Sequence, residues 1–348
     1  MQRRLLGVRS LDAPLLRGRP TQGRSARTIA TLRMGAVSGS LVSIDTLPAD
    51  LVDDQSSAVR DIADAVHLCR TAGASVVGLG ALAALVGAHG RAVAELSPCA
   101  VTTGNALTTW AAVSTLSRLR SVGYPRGPVG VFGLPGVVAT GLVEVLLGRG
   151  ETVVVIHPQP SPPLQRAVSR WAARNPGRVT LGASPSAFAG TGSVLLAASS
   201  TGRRIALSTL LPGSVVIDVA EPVDLEYDVP RRDDVLVLDG ELVTLPRPMS
   251  GSEPWWSIYG WVTGQTDALF ACFAEPMLLA GTARIDLAFT GRELSAGHVE
   301  TIGALAIASG YSVDRLYSRG RRLRDAVIVA FVERARARAG GTATPPPP

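Results

Sequence analysis

The sequence predicts an α/β fold: a Rossmann-type, doubly wound parallel sheet, with a second α/β domain formed by the flanking N- and C-terminal parts. Length and composition set the frame. A chain of 348 residues suits two domains, and at 46% hydrophobic and 18% charged it can bury a core in each. Between residues 121 and 249, short apolar runs alternate with turn residues and helical stretches, which is the pattern of a parallel sheet.

The elements follow in order. Residues 1–35 read as an Arg-rich, acid-poor leader: disordered, a transit peptide or an upstream misassigned start. Val37–Ile44, bounded by Gly35 and Pro48, is a strand. Asp54–Ala72 is a helix, because Val59, Ile62, Ala63, Val66 and Cys69 recur at helical spacing and Gly73 stops it. Cys69 lies on that apolar stripe and reads as a core thiol. A short strand enters the glycine turn at Gly78 and Gly80, and Thr102-Thr-Gly-Asn105 then caps and opens a helix reaching Arg120. Val129–Phe132, Gly133–Ala139, Thr140–Gly148 and Thr152–Ile156 give strand, turn, helix and strand. Apolar runs at 193–198, 214–219 and 235–238 supply further strands, and helices follow at 264–281 and 295–309. Residues 340–348 are a disordered Pro-rich tail. Residues 121–249 are thus assigned to the sheet domain, and 36–120 with 250–335 to a substrate domain.

Composition excludes several chemistries. All 34 basic residues are Arg, so a Walker A loop, Schiff-base catalysis and a Tyr-x-x-x-Lys pair are ruled out. The net charge of +6 gathers at the ends: residues 1–33 hold eight Arg against Asp12, and residues 314–338 hold eight Arg against Asp314, Asp325 and Glu333. No zinc spacing or RNP-like pattern accompanies the basic ends, so they read as solvated or as docking an acidic protein rather than nucleic acid. Three cysteines are too few for a disulfide scaffold, which places the chain in a reducing cytoplasm. The apolar segments 71–90 and 129–148 hold glycines and, in the second, Glu144, so both read as buried βα units and not membrane spans.

Two constellations carry chemistry. Gly133-x-x-Gly136-x-x-Ala139 follows a strand and opens a helix, where small residues let a pyrophosphate approach the helix N-terminus. The next strand ends at His157-Pro-Gln159 with no acid to hold a ribose diol, and Arg166 follows, which favours NADPH over NADH. The second constellation is Cys272 in an apolar helix, four residues before Pro276. Proline has no N–H, so a kink beside the thiol is expected there.

These residues resemble the long-chain acyl-[acyl-carrier-protein] reductases that form fatty aldehydes. The resemblance rests on Thr102-Thr-Gly-Asn-Ala-Leu-Thr108, on Phe270-Ala-Cys-Phe-Ala-Glu-Pro-Met-Leu-Leu279 and on the run from Glu300 through Gly310, and it covers residues 36–312. It implies an NADPH-dependent oxidoreductase in which Cys272 takes an acyl group from an acyl carrier protein, or from coenzyme A, and releases an aldehyde. Asn105 or nearby N–H groups would stabilise the oxyanion, Thr102 and Thr103 would bind substrate, and Gly133, Gly136, Ala139, His157 and Ser199 would bind cofactor. No metal is expected. The chain departs from that family at Leu107, at Leu79–Ala83, at Leu134-Pro135 and at Pro276. A non-catalytic homologue that binds cofactor or carrier protein is the alternative reading.

Overall fold

The structure is a computed structural model that describes residues 26–44, 46, 51, 53–185, 192–220, 222–230, 232–251 and 267–341. Most of the leader and of the Pro-rich tail therefore lies outside the described residues. The chain is a mixed α/β protein that divides into two compact units.

The first unit comprises Met1–Leu107, Val243–Glu293 and Thr301–Ser312. Ala26–Met34 and Val37–Ile44 pair as an antiparallel hairpin, turning at Gly35 with φ of 59°, and Ser250–Gly251 adds a short third strand. The first of these strands lies wholly within residues 1–35, the stretch that the sequence reads as a disordered leader, so Ala26–Met34 is ordered sheet instead. Asp54 caps the helix Gln55–Thr71 by accepting the Ser57 N–H at 3.0 Å. That helix buries Ala58, Ile62 and Val66 among Leu51, Leu79, Val86, Val93 and Val101. Two parallel strands, Val76–Gly78 and Ala100–Thr102, lie side by side and end together at the turns that carry Leu79 and Thr103. Ala268–Phe270 leads into the helix Ala271–Gly281, which runs through Pro276 without ending there. A glycine at 78 allows it, since a Cβ there would stand 2.7 Å from the Pro276 ring.

The second unit holds Thr108–Leu242, Leu294–Glu300 and the chain from Val313 onward. Its six parallel strands lie in the order Leu236–Asp239, Val215–Asp218, Val194–Ala197, Val129–Phe132, Val153–Ile156, Val179–Gly182. Counted along the chain from Val129 and read from the Val179–Gly182 edge, this is 3-2-1-4-5-6, with the reversal between the first and fourth strands. The helices Val137–Gly148 and Pro162–Arg174 make the first two crossovers. After Val194–Ala197, the connections hold short pieces such as Leu207–Thr209 and the pair Ile205–Ala206 with Leu225–Glu226.

The helix Asp325–Gly341 belongs to this unit, whereas the sequence assigns residues up to 335 to the other domain. Its contacts give the reason. Phe331 stacks on Tyr124 with centroids 6.3 Å apart, and Arg336 Nε donates to the Gly123 carbonyl at 2.7 Å. Tyr124 in turn donates to the Gly213 carbonyl at 2.7 Å. No helix among the described residues is long and apolar enough to cross a membrane.

At the C-terminal end of its strand, Asp218 is buried and accepts N–H groups from Ala220 at 3.0 Å and Leu225 at 3.1 Å. Burial outweighs these bonds and pushes its carboxyl up to about 8. The native state therefore keeps a proton that the unfolded chain releases near its ordinary value of 3.8. Stability from this group is present in full below about pH 4 and is lost as pH rises toward 8, with a slope of at most about 1.4 kcal/mol per pH unit. Urea midpoints measured across that range should fall with pH in the wild type and fall distinctly less in Asp218→Asn.

Candidate functional site

The first unit brings Cys272 and the stretch Thr102–Asn105 together. Gly104, at φ of 72°, lies on Cys272: a Cβ at 104 would stand 2.4 Å from its Cα and 2.7 Å from its Cβ. Only glycine meets both conditions, the left-handed backbone and the missing side chain. Cys272 occupies the first turn of its helix, half-buried, and that turn has neither an acidic residue nor a side-chain cap. Because residue 276 is proline, the Cys272 carbonyl receives no bond from that position.

One turn further on, Glu275 is fully buried. It accepts the Thr102 hydroxyl and, at 2.7 Å, the Leu107 N–H. Burial pushes its carboxyl up, while Thr102 and the N–H groups of Leu107, Ala106 and Gly104 pull it down. The carboxyl of one helix thus caps the start of the helix Asn105–Ser121. This alters the role expected of backbone N–H groups near Asn105: that of Leu107 serves Glu275 instead of an oxyanion. Thr102 and Thr103, expected to bind substrate, are buried. The Thr103 N–H and hydroxyl both donate to the Phe289 carbonyl, at 2.9 and 3.3 Å, so these threonines frame the site.

Sequence reasoning missed Glu275 and also a second feature. Gly87, Ala88, His89 and Gly90 are four consecutive left-handed residues, with φ of 60°, 56°, 58° and 79°. Each non-glycine residue in that conformation costs roughly 1–2 kcal/mol. The turn is held by the Gln55 side chain, which accepts the Gly87 N–H at 2.9 Å, and by the His89 carbonyl, which accepts the Gly291 N–H at 2.7 Å. Gly90 packs among Leu79, Thr103 and Thr290. Burial and the charge of Arg292 push the half-buried His89 imidazole below its ordinary value, which keeps it neutral. The same helix that bears Cys272 turns Phe273, Pro276, Met277 and Ala280 toward a cavity of about 1090 Å³, whose lining, among the described residues, holds no Asp or Glu. Cys69 also lines it, and burial pushes both the Cys69 and Cys99 thiols up.

The residues expected to bind cofactor lie in the second unit. Gly133, at φ of 112°, packs on the neighbouring turn, where a Cβ would meet the Ala198 carbonyl at 2.5 Å and the Ser199 nitrogen at 2.6 Å. Gly136 donates its N–H to the Gly133 carbonyl at 2.9 Å, and Ala139 is buried in the helix that follows. Ser199 gives both its N–H, at 2.8 Å, and its hydroxyl to Asp224, so the donors a phosphate would use are already engaged. His157 accepts the Gln159 N–H on Nδ1 at 3.2 Å. No group of three or more His, Cys, Asp or Glu among the described residues could hold a metal ion.

No protein-family model matches the chain. It is similar to the aminotransferase PigE of Serratia sp., at 34% identity over 300 residues, which is 84% of this chain and 34% of PigE. The chain spans about a third of the length of that curated relative. Among solved structures, L-tryptophan dehydrogenase from Nostoc punctiforme shares 11% identity over 71% of this chain and 64% of its own, with a TM-score of 0.33, too low to support an argument. The match to an aminotransferase corrects the resemblance to acyl-[acyl-carrier-protein] reductases. With it fall the fatty-aldehyde-forming reduction and the NADPH assignment drawn from Gly133, Gly136, Ala139, His157 and Ser199.

An aminotransferase points to pyridoxal phosphate, which such enzymes hold through a lysine amine. The residues present do not fit that group, because all 34 basic residues of the chain are Arg. Arg cannot supply the nucleophilic amine, since it stays protonated.

Removing the Glu275 carboxylate leaves the Leu107 N–H and the Thr102 hydroxyl buried without it. Glu275→Ala should therefore lower the unfolding free energy by roughly 2–5 kcal/mol, read from urea denaturation. Gly104→Ala should destabilise as well, and should change the rate at which iodoacetamide alkylates Cys272 while leaving Cys69 and Cys99 unaffected.

Proposed function

We propose that this chain is an enzyme unit that binds a ketone or aldehyde through Cys272 and works alongside an amino-group transfer carried out by a lysine-bearing aminotransferase. One observation carries the reading: a cysteine in the first turn of a helix, held against Gly104, in a chain without a single lysine. Amino-group transfer needs a carbonyl acceptor, and the similarity to aminotransferase PigE supports a link to that chemistry. The absence of lysine supports assigning the transfer step to residues other than these.

In the proposed step the Cys272 sulfur attacks the carbonyl carbon and a carbon–sulfur bond forms. The carbonyl π pair moves to oxygen, which takes up the proton lost by the thiol. No oxidant or reductant is consumed, and the addition reverses to release the same carbonyl compound. The helix N-terminus favours the developing oxyanion.

Small ketones and aldehydes should slow the alkylation of Cys272 by iodoacetamide, followed by peptide mass, with little effect on Cys69 and Cys99. The chain alone, given pyridoxal phosphate and an amino donor, should transfer no amino group. Alkylation of Cys272 at an unchanged rate across several carbonyl compounds, or transamination by the chain alone, would contradict the proposal.

A further inference from the structure

The carbonyl chemistry leaves the basic C-terminal stretch without a role, and that stretch lies in the second unit. We propose that the hairpin Tyr317–Arg322, together with Arg324 and the start of the helix Asp325–Gly341, is a docking surface for an acidic protein. This goes beyond the Cys272 reading and does not depend on it.

The backbone holds the cations of the hairpin in place. Tyr317–Ser318 and Arg321–Arg322 pair antiparallel across the two-residue turn Arg319-Gly320, in which both residues are left-handed, with φ of 55° and 69°. Asp239, at the end of its parallel strand, accepts the Arg319 N–H at 2.8 Å and the Gly320 N–H as well. Leu316 and Tyr317 are buried, and the Leu316 carbonyl accepts the Leu323 N–H at 2.8 Å. The Arg319 guanidinium lies 3.7 Å from the centre of the Tyr227 ring.

Arg321, Arg322 and Arg324 are exposed, and none of them takes part in an ion pair among the described residues. The acids nearest in sequence are engaged elsewhere, Asp314 with Arg315 at 3.7 Å and Asp325 with Arg118 at 3.8 Å. Three guanidiniums on a fixed backbone therefore have no carboxylate of their own, and each planar fork can take a carboxylate with two parallel hydrogen bonds. An apolar group adjoins them. Val327, whose N–H donates to the Arg324 carbonyl at 2.9 Å, is 37% exposed. Arginines beside an exposed apolar side chain suit a protein interface, whereas a phosphate backbone rewards charge alone.

The test measures binding of a fluorescent glutamate–tyrosine copolymer, a carboxylate-rich chain with aromatic groups, by anisotropy at about 0.15 M salt. It compares the full chain with Arg321→Glu/Arg322→Glu and with Arg166→Glu/Arg170→Glu, which makes the same change in net charge at exposed positions of the helix Pro162–Arg174. All four side chains are exposed, so both variants should unfold at the wild-type temperature. The hairpin variant should bind at least about tenfold more weakly, and the helix variant should stay within about twofold of wild type. An equal loss in the two variants would overturn the proposal, because net charge alone would then be the cause. So would the absence of measurable binding by the wild type. Tighter binding of the wild type to a DNA oligonucleotide of equal charge, or to phosphatidylglycerol vesicles, would overturn it in favour of a nucleic-acid or lipid partner.

Discussion

Glu275 is the constraint on which the candidate site depends. A buried carboxylate is costly unless hydrogen bonds satisfy it, and this one takes the Thr102 hydroxyl and the Leu107 N–H. Thr102 ends a strand and Leu107 lies in the first turn of a second helix, so satisfying the carboxylate fixes the start of that helix against the helix that bears Cys272. The close approach of Gly104 to Cys272 follows from the same arrangement. Glu275 spends the N–H groups at one helix start, while the first turn that carries Cys272 has no side-chain cap.

A single compositional fact separates this chain's chemistry from the name of the relative it resembles. Arg can neutralise charge and donate hydrogen bonds, but it does not supply a nucleophilic amine. The similarity to aminotransferase PigE extends over 84% of the chain yet covers 34% of that protein. A thiol-based part in amino-group chemistry is consistent with both numbers and with the geometry around Cys272.

Much of the fold was legible in the residues, because hydrophobic periodicity and glycine placement are local signals. The helix following Asp54, the strand Val37–Ile44 and the strand–turn–helix around Gly133 stand where the pattern puts them. The domain boundary was not legible. Phe331 stacks on Tyr124 from more than 200 residues away, and nothing local in either stretch announces that contact. The meeting of Thr102–Asn105 with Cys272 could be expected only from the resemblance to a family, and the function that resemblance implied did not survive comparison. Glu275 stood in the quoted motif without a role, since a carboxylate's burial is invisible until its partners are placed. The turn at His89 gave one hint, a glycine on either side of Ala88-His89.

The central claim is that Cys272 forms a reversible covalent bond to a carbonyl carbon. The most direct measurement is the NMR resonance of an isotope-labelled carbonyl carbon in a small ketone or aldehyde, added to wild type and to Cys272→Ser. The account predicts a resonance in the tetrahedral region with wild type, absent with the serine variant and lost on dilution. A spectrum showing only the free carbonyl compound, or the same new resonance in both proteins, would contradict it.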